Sequence, residues 1–222
     1  MPVDVTTVSM ESFLIVAFLG FLLLVLPQRY ALAPMFIGGA YLTLGQNFVI
    51  GGAHFHLIRI LIAFGLVRLL VKREIFDIKL NAIDKVLIAW IIVRTFLYVL
   101  ISGETDTILE RLGALYNGVG AYFLVRAVVR DFDDVIRNVK ILGITIIPLA
   151  VPFLVEYTTG RNPFFALGGV PEFTQVREGR LRCQGPFMHP ILSGTFGATS
   201  IPLFVGLWMH STGNRFIALA AI

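Results

Sequence analysis

The chain has 222 residues, of which 57% are hydrophobic and 14% are charged, and its net charge is +4. Soluble domains average about 25% charged residues, so this composition excludes an ordinary soluble domain and predicts an all-α, polytopic helical membrane protein, whose backbone polar groups are satisfied within helices. Basic residues in such a chain report topology and contact with membrane lipids, and we expect no nucleic-acid partner. The single cysteine excludes an internal disulfide.

Apolar runs predict about seven complete spans and a truncated eighth, because a hydrocarbon core of ~30 Å needs about 20 apolar residues per helix. The stretch before the first run lacks basic residues, so we expect this run to be retained and not cleaved as a signal peptide. The last run begins near Phe216 and stops after seven residues, which predicts an incomplete fragment. The complete runs cover residues 12–27, 31–48, 57–71, 86–102, 113–129, 141–156 and 191–209.

These runs predict three regions. Residues 1–156 would form an N-terminal transmembrane bundle of about six spans, residues 157–190 a long loop, and residues 191–222 the start of a further domain that the chain does not complete. Basic residues in alternate loops assign those loops to the cytoplasmic side of the membrane. The N-terminus and the 157–190 loop would then be external. The basic residues that fix this orientation are Arg29, Lys72, Arg73, Lys79, Lys85, Arg126, Arg130, Arg137, Lys140 and Arg215.

The 157–190 loop breaks the charge pattern, since it places arginine on the outer face. It contains four arginines and no lysine: Arg161, Arg177, Arg180 and Arg182. Arginine presents a planar fork that holds phosphate through two hydrogen bonds. The loop therefore predicts either a phosphate-binding site or headgroup anchoring on the outer leaflet, and composition alone leaves both open.

Three arginines lie within or near predicted spans, where charge costs at least ~2.5–3.5 kcal/mol at a helix centre. Arg68 lies near the end of its span, and we expect it to extend to the interface. Arg59 and Arg94 are candidates for buried functional charges. His189 directly precedes Pro190, which suits the first turn of a helix, and the helix dipole there disfavours imidazolium. This indicates a neutral, hydrogen-bonding histidine or a plain helix-start residue.

The segment "GRLRCQGPFMHPILSGTFGATSIPLFVGLW", Gly179 to Trp208, resembles the start of the core domain in the O-antigen ligase and O-antigen polymerase family. In that family an external arginine and a Gly-x-Phe turn lead through a His- or Asn-containing step into a span rich in small residues. Ile191 departs from the family, which often has Asn there. The matching positions are Arg182, Gly185, Phe187, His189, Pro190, Gly194 and Gly197.

The resemblance implies a polytopic inverting glycosyltransferase in the bacterial inner membrane, and thus an enzyme in its full-length form. Its partners would be an undecaprenyl-pyrophosphate-linked glycan donor, a glycan or lipid A-core acceptor, and membrane lipids. We expect Arg182 and His189 to be catalytic. Arg180 and Arg182, then Arg177 and Arg161, would bind pyrophosphate and stabilise its charge as it departs. No carboxylate cluster indicates a metal site, and no cofactor is expected.

Three alternatives stay open, the first of which belongs to the same class of function. A polymerase of O-antigen or exopolysaccharide repeat units would use the same donor and differ only in the acceptor. A transporter or flippase of lipid-linked glycans would also need arginines, although along a pathway through the bilayer, and a non-catalytic assembly subunit would need none. The clustering of arginines in one loop favours chemistry or binding at one face.

Overall fold

The computed structural model describes residues 8–50, 53–78, 80–102, 105–210 and 212–222, and it is mostly helical. Two antiparallel hairpins interrupt the helices: β1 (Asn47–Ile50) with β2 (Ala53–His56), and β3 (Gln175–Arg177) with β4 (Arg180–Arg182). The helices in chain order are α1 (Met10–Val25), α2 (Ala33–Tyr41), α3 (Leu57–Val71), α4 (Ala82–Ser102), α5 (Thr105–Val128), α6 (Phe132–Ile146), α7 (Ala150–Thr159), α8 (Pro190–His210) and α9 (Arg215–Ala221).

The core of the N-terminal half forms where α1, α3 and α5 pack together. Leu19 of α1 and Leu61 of α3 share one buried cluster, and Leu69 of α3 and Leu124 of α5 share another. Glycine allows the close approach, because a Cβ on Gly65 would lie 2.6 Å from a methyl of Leu124. Tight contact of this kind is typical of well-packed helix interfaces.

Arg68 of α3 is buried inside this core and does not extend to a surface, so the expectation drawn from its place in the span is wrong. Its Nε and Nη2 donate to the two carboxylate oxygens of Glu74 at 3.0 and 2.8 Å. Its Nη1 donates to the carbonyls of Leu23 and Leu26 at the end of α1, at 2.7 and 2.6 Å. The guanidinium therefore satisfies carbonyls that the end of a helix leaves unpaired.

Two helical segments among the described residues are long and apolar enough to cross a membrane, judged by length and composition alone. The first is Phe132–Thr159, in which α6 and α7 join through a 3₁₀ turn at Ile147–Leu149, and the second is α8. Of their most apolar windows, 22% and 17% is buried, so neither is an enclosed core helix. They are a weak indication of membrane association.

The prediction of seven complete spans and a truncated eighth is therefore wrong, and so is the six-span bundle over residues 1–156. At 1.5 Å per residue, the 16 residues of α1 and the 15 of α3 reach about 24 Å and 23 Å, short of the ~30 Å core. The 31–48 run divides into the nine-residue α2 and the start of β1. The 21-residue α4 carries Asp84, Lys85 and Arg94.

Candidate functional site

Residues 160–189, which we call the connecting segment, join the two candidate membrane helices. Gly160 ends α7 in the left-handed conformation, with φ +70°, and its N–H donates to the carbonyl of Glu156 at 2.9 Å. Pro190 begins α8. The connecting segment therefore starts where one candidate membrane helix ends and stops where the other begins.

The β3–β4 hairpin presents three arginines on one face. Arg177 pairs with Arg180 and Gln175 pairs with Arg182 across the two strands. Side chains alternate between the faces of a strand, so these four residues share a face and Val176 and Leu181 share the other. The two residues of the turn, Glu178 and Gly179, have φ of +54° and +73°, as the tight turns of two-residue hairpins require.

The arginine face is electropositive and only partly neutralised. Cβ atoms of directly opposed residues lie about 4.5–5.5 Å apart, and like charges in such a pair are destabilising. Arg177 has an exposed contact with Glu178 at 3.6 Å, which stabilises little in water. Among the residues that the structure describes, Arg180 and Arg182 have no carboxylate within ion-pair distance. The face therefore offers guanidinium groups to an anion.

Glu156, at the end of α7, organises the base of the connecting segment. Its side chain is fully buried. One carboxylate oxygen accepts from the N–H of Gln184 at 3.0 Å and from the hydroxyl of Thr174 at 3.1 Å. The other accepts from the N–H of Gly185 at 2.8 Å. Because Gln184 follows β4 closely and Thr174 precedes β3, this one carboxylate holds both ends of the hairpin.

Buried Asn162 supports the same region. Its Nδ2 donates to the carbonyl of Gly185 at 2.7 Å, and its Oδ1 accepts from the N–H of Phe164 at 3.0 Å. Its backbone N–H donates to the carbonyl of Glu172 at 2.8 Å. These bonds join the beginning and the end of the connecting segment, so the hairpin rises from a fixed base.

Gln46 connects this base to the N-terminal half of the protein. Its buried Nε2 lies within hydrogen-bond distance of the carbonyl of Leu167 and of the Ser12 hydroxyl. The chain next to it approaches the segment closely, since a Cβ on Gly45 would lie 1.8 Å from the carbonyl oxygen of Gly169. The connecting segment is therefore packed against the helical core.

The turn before α8 depends on Gly185 and ends at His189. Gly185 has φ +56°, and a Cβ there would lie 2.6 Å from the ring of Phe153. The Nδ1 of His189 accepts from the N–H of Ile191 at 3.2 Å. A neutral imidazole with this bond carries its proton on Nε2. The absence of Asn at position 191 does not remove this bond, because the backbone N–H donates it.

The structure brings some of the predicted site residues together and separates others. Arg177, Arg180 and Arg182 share the hairpin face, whereas Arg161 lies at an isolated bridge with Phe173 and contacts Glu172 at 3.5 Å. His189 lies seven positions beyond Arg182, at the start of α8. Among the residues that the structure describes, no hydrogen bond joins it to these arginines.

Arg59 and Arg94 lie outside the connecting segment, on α3 and α4. Arg59 is half-buried and packs against α5, where a Cβ on Gly113 would lie 2.3 Å from its guanidinium. Arg94, the other candidate for a buried functional charge, is exposed, with its guanidinium carbon 5.5 Å from the ring centroid of Trp90. Neither belongs to the hairpin site.

Sequence reasoning missed the residues that shape the site. Glu156 ends the 141–156 apolar run, and a lone carboxylate in such a run is a signal for a buried partner.

Burial, with the charge of Glu156, raises the pKa of the Cys183 thiol. Among the described residues, no group of three or more His, Cys, Asp or Glu is placed to hold a metal ion.

Comparison with protein-family models, curated proteins and solved structures found no match to this chain. The arrangement itself can bind a compact, multiply charged anion. Three guanidinium groups on a two-stranded face offer parallel N–H donors, and the neighbouring turn ends in a histidine with one N–H to donate.

Proposed function

We propose that the connecting segment binds the pyrophosphate of an undecaprenyl-linked glycan, and that the protein transfers this glycan to a lipid A-core acceptor as O-antigen ligases do. One observation carries the proposal: the common arginine face of β3 and β4 beside the ends of two candidate membrane helices. A lipid-linked pyrophosphate places a dianionic group next to the bilayer, at the level where such a face would lie. The similarity of Gly179–Trp208 to that family adds the transfer reaction.

In the proposed reaction, the oxygen of an acceptor hydroxyl forms a bond to the anomeric carbon and releases its proton to solvent water, and the bond from that carbon to the pyrophosphate oxygen breaks. The leaving oxygen takes the bonding electron pair. Arg182 and Arg180 stabilise the charge that develops on it. Arg177, opposite Arg180, and Arg161, at the bridge to Phe173, are proposed as further contacts to the donor. The Nε2–H of His189 would orient the acceptor.

The proposed membrane arrangement has the Phe132–Thr159 helix and α8 crossing the inner membrane with the connecting segment external. Basic residues support this orientation, since Arg130, Arg137 and Lys140 lie at the start of the first helix and Arg215 follows the second. The lipid tail of the donor would lie along the exposed apolar surfaces of these helices. Large side chains exposed there include Val151, Leu154, Ile191 and Leu192.

A repeat-unit polymerase would use the same arginine face, because it shares the donor and differs in the acceptor. A flippase of lipid-linked glycans is less well supported, since its arginines should follow a path through the bilayer. Here three of them lie within six residues of one hairpin.

The test compares cells that carry only an Arg182→Ala copy of the gene, matched to wild type for protein level, with cells that carry Arg215→Ala. Arg215 is an exposed arginine that lies beyond the opposite end of α8, at the start of α9. The transferase proposal expects carrier-linked glycan to accumulate on the outer face in Arg182→Ala cells alone. An Arg182→Lys copy should recover little activity, because lysine lacks the fork that binds two phosphate oxygens.

Carrier-linked glycan held on the cytoplasmic face would support the flippase and overturn the transferase. Short surface glycans attached to the lipid A-core would support the polymerase instead of the ligase. Unchanged surface glycan in Arg182→Ala cells would overturn the role of the arginine face.

A further inference from the structure

Two further arginines line a cavity between α4 and α5, outside the connecting segment. Arg94 comes from α4 and Arg111 from α5. Each helix contributes positions spaced i, i+3, i+4 and i+7, which is the spacing of one helix face. The cavity holds about 90 Å³ and is lined by Trp90, Ile91, Arg94, Thr95, Tyr98, Arg111, Ala114, Leu115 and Gly118.

The two arginines lie at similar distances from the connection between α4 and α5. Arg94 is eight residues before the end of α4 at Ser102, and Arg111 is six residues after the start of α5 at Thr105. At 1.5 Å per residue these positions are about 12 Å and 9 Å along the two helices from their connection. The antiparallel arrangement therefore brings both guanidinium groups to one cavity, where their charges repel each other.

Neither arginine has a carboxylate partner in the described part of the chain. Each lies near an aromatic ring: the guanidinium carbon of Arg111 is 3.6 Å from the ring centroid of Tyr98, and that of Arg94 is 5.5 Å from the ring centroid of Trp90. The Nε of Arg111 is shielded from solvent and makes no hydrogen bond. A shielded donor without an acceptor is unfavourable, and a bound anion would accept its hydrogen bond.

The size of the cavity limits the ligand. One water needs about 10–15 Å³ of such space, so this cavity has room for a compact tetrahedral anion and not for a sugar. Exposed apolar side chains continue from Trp90 along the same side of α4, including Ile83 and Val86. An apolar surface next to a phosphate-sized, doubly basic cavity matches the chemistry of an anionic lipid.

We propose that Arg94 and Arg111 form a phosphate-binding site that holds the phosphate of an anionic lipid headgroup between α4 and α5. The acyl chains lie against the exposed apolar face of α4. Tyr98 and Trp90 keep the two guanidinium groups over their rings and directed towards the cavity. This site shares no residue with the arginine face of the connecting segment, so its test is independent of the proposed transfer reaction.

Trp90 provides a reporter, because the chain has two tryptophans and the other is Trp208. In a Trp208→Phe background, the full chain in neutral detergent is titrated with dihexanoyl phosphatidylglycerol, with inorganic phosphate, and with the uncharged dihexanoyl glycerol. Trp90 fluorescence and titration calorimetry are recorded on the same samples, so that a spectroscopically silent event is still detected.

We expect saturable binding of the phosphatidylglycerol and none of the uncharged lipid. Arg94→Ala or Arg111→Ala should each weaken this binding at least about tenfold, since each removes charge-assisted hydrogen bonds. Arg94→Lys should weaken it less. Arg29→Ala is the matched control, because Arg29 is also exposed and lies 5.1 Å from the ring centroid of Tyr30, and it should leave the affinity unchanged.

Saturation by inorganic phosphate at the same affinity would support the phosphate site but assign it to free phosphate, and so overturn the lipid. Equal binding of the uncharged lipid, or affinity unchanged in the Arg94→Ala/Arg111→Ala variant, would overturn the site. Circular dichroism of each variant separates loss of binding from loss of fold. For a variant that does not fold, the charge-preserving Arg94→Lys and Arg111→Lys variants decide the outcome.

Discussion

Arg177 and Arg180 lie directly opposite each other across the β3–β4 hairpin, although like charges in this position are unfavourable. We expect Arg177→Gln to leave the fold as stable or to stabilise it by about 0.2–1 kcal/mol, because it removes this repulsion. The same change should weaken binding of inorganic pyrophosphate. Thermal unfolding without ligand and titration calorimetry with pyrophosphate measure the two effects.

If Arg177→Gln leaves stability unchanged or raises it and weakens pyrophosphate binding, Arg177 belongs to an anion site. If stability falls, Arg177 makes a structural contact. A loss of stability greater than about 0.5 kcal/mol would mean that Arg177 makes a stabilising contact within the hairpin. Arg29→Gln is the control and should change neither quantity.

We expect replacement of Glu156 to cause a large loss of stability, concentrated at the base of the connecting segment. Glu156→Ala leaves the N–H groups of Gln184 and Gly185 and the Thr174 hydroxyl without their acceptor. Hydrogen bonds to a charged group contribute about 1.5–3 kcal/mol each and are not additive, so we expect a loss of about 3–5 kcal/mol. Denaturant unfolding measures the total, and amide hydrogen exchange at Gln184 and Gly185 measures the local opening.

Thr174→Val is the matched control for this network. It removes one of the three donors, so we expect a loss of about 1 kcal/mol and unchanged protection of the two amides. Protection that survives Glu156→Ala would show that other contacts hold the base of the connecting segment.

Glycine-to-alanine changes should separate steric from conformational effects. Gly185 has both a positive φ and the Phe153 ring 2.6 Å from a Cβ, whereas Gly179 has φ +73° with open space around it. We expect Gly179→Ala to cost about 1–2 kcal/mol for the left-handed conformation and Gly185→Ala to cost more. Gly194 is helical and has open space, so Gly194→Ala should stabilise by about 0.5–1 kcal/mol.

Thermal unfolding of the three variants gives this order directly. Equal losses for Gly179→Ala and Gly185→Ala would mean that the Phe153 ring moves aside at little cost.

Apolar runs predicted the positions of most helices, because those positions depend on local sequence. The 57–71 run is α3 residue for residue, and the 191–209 run lies within α8. The number of spans could not be read in this way. The pattern does not show that the 31–48 run is divided between a short helix and a hairpin, since Met35 in α2 and Leu42 beyond its end both pack against α1 and α3 and keep the run apolar.

The candidate site was predicted in part. The sequence indicated the four arginines, and Glu178–Gly179 between Arg177 and Arg180 is a usable signal for a two-residue hairpin turn. The buried partners could not be predicted. Arg68 and Glu74 are six residues apart, outside the i+3 and i+4 spacing of a helix face, and Glu156 reaches residues 18 to 29 positions away.

The pair of Asp84 and Tyr122 predicts acid sensitivity of the α4–α5 region. The pKa of the Asp84 carboxyl is lowered, most strongly by a hydrogen bond from the Tyr122 hydroxyl and next by one from the backbone N–H of Asn81. An unfolded aspartate titrates near pH 3.9. Because the folded pKa is the lower one, the stabilisation is present above about pH 3.9 and is lost as the pH falls through the folded pKa.

Tyr122→Phe should therefore make the free energy of unfolding less dependent on pH below about pH 4. Denaturant unfolding between about pH 2.5 and 6 measures this slope. Tyr116→Phe is the control, because the Tyr116 hydroxyl donates to the carbonyl of Arg59 and to no carboxylate. An unchanged slope in Tyr122→Phe would mean that the other contacts of Asp84 determine its titration.

Cys183 allows the proposed orientation of the connecting segment to be measured, because it is the single cysteine of the chain and is half-buried beside Arg182. The thiolate is the reactive form, and the pKa of this thiol is raised by burial and by Glu156. Labelling of intact cells by a membrane-impermeant maleimide should therefore be slow near pH 7. At pH values below the pKa of the thiol, the labelling rate should rise about tenfold for each unit by which the pH is raised.

The control moves the cysteine to the other end of α8, in a Cys183→Ser/Thr212→Cys variant. Thr212 is exposed and follows α8, so in the proposed arrangement it faces the cytoplasm and reacts only after the membrane is disrupted. Labelling of both positions in intact cells would mean that α8 does not cross the membrane. Protection of Cys183 with labelling at position 212 would reverse the orientation, and the arginine face would then meet the cytoplasmic leaflet instead of an external donor.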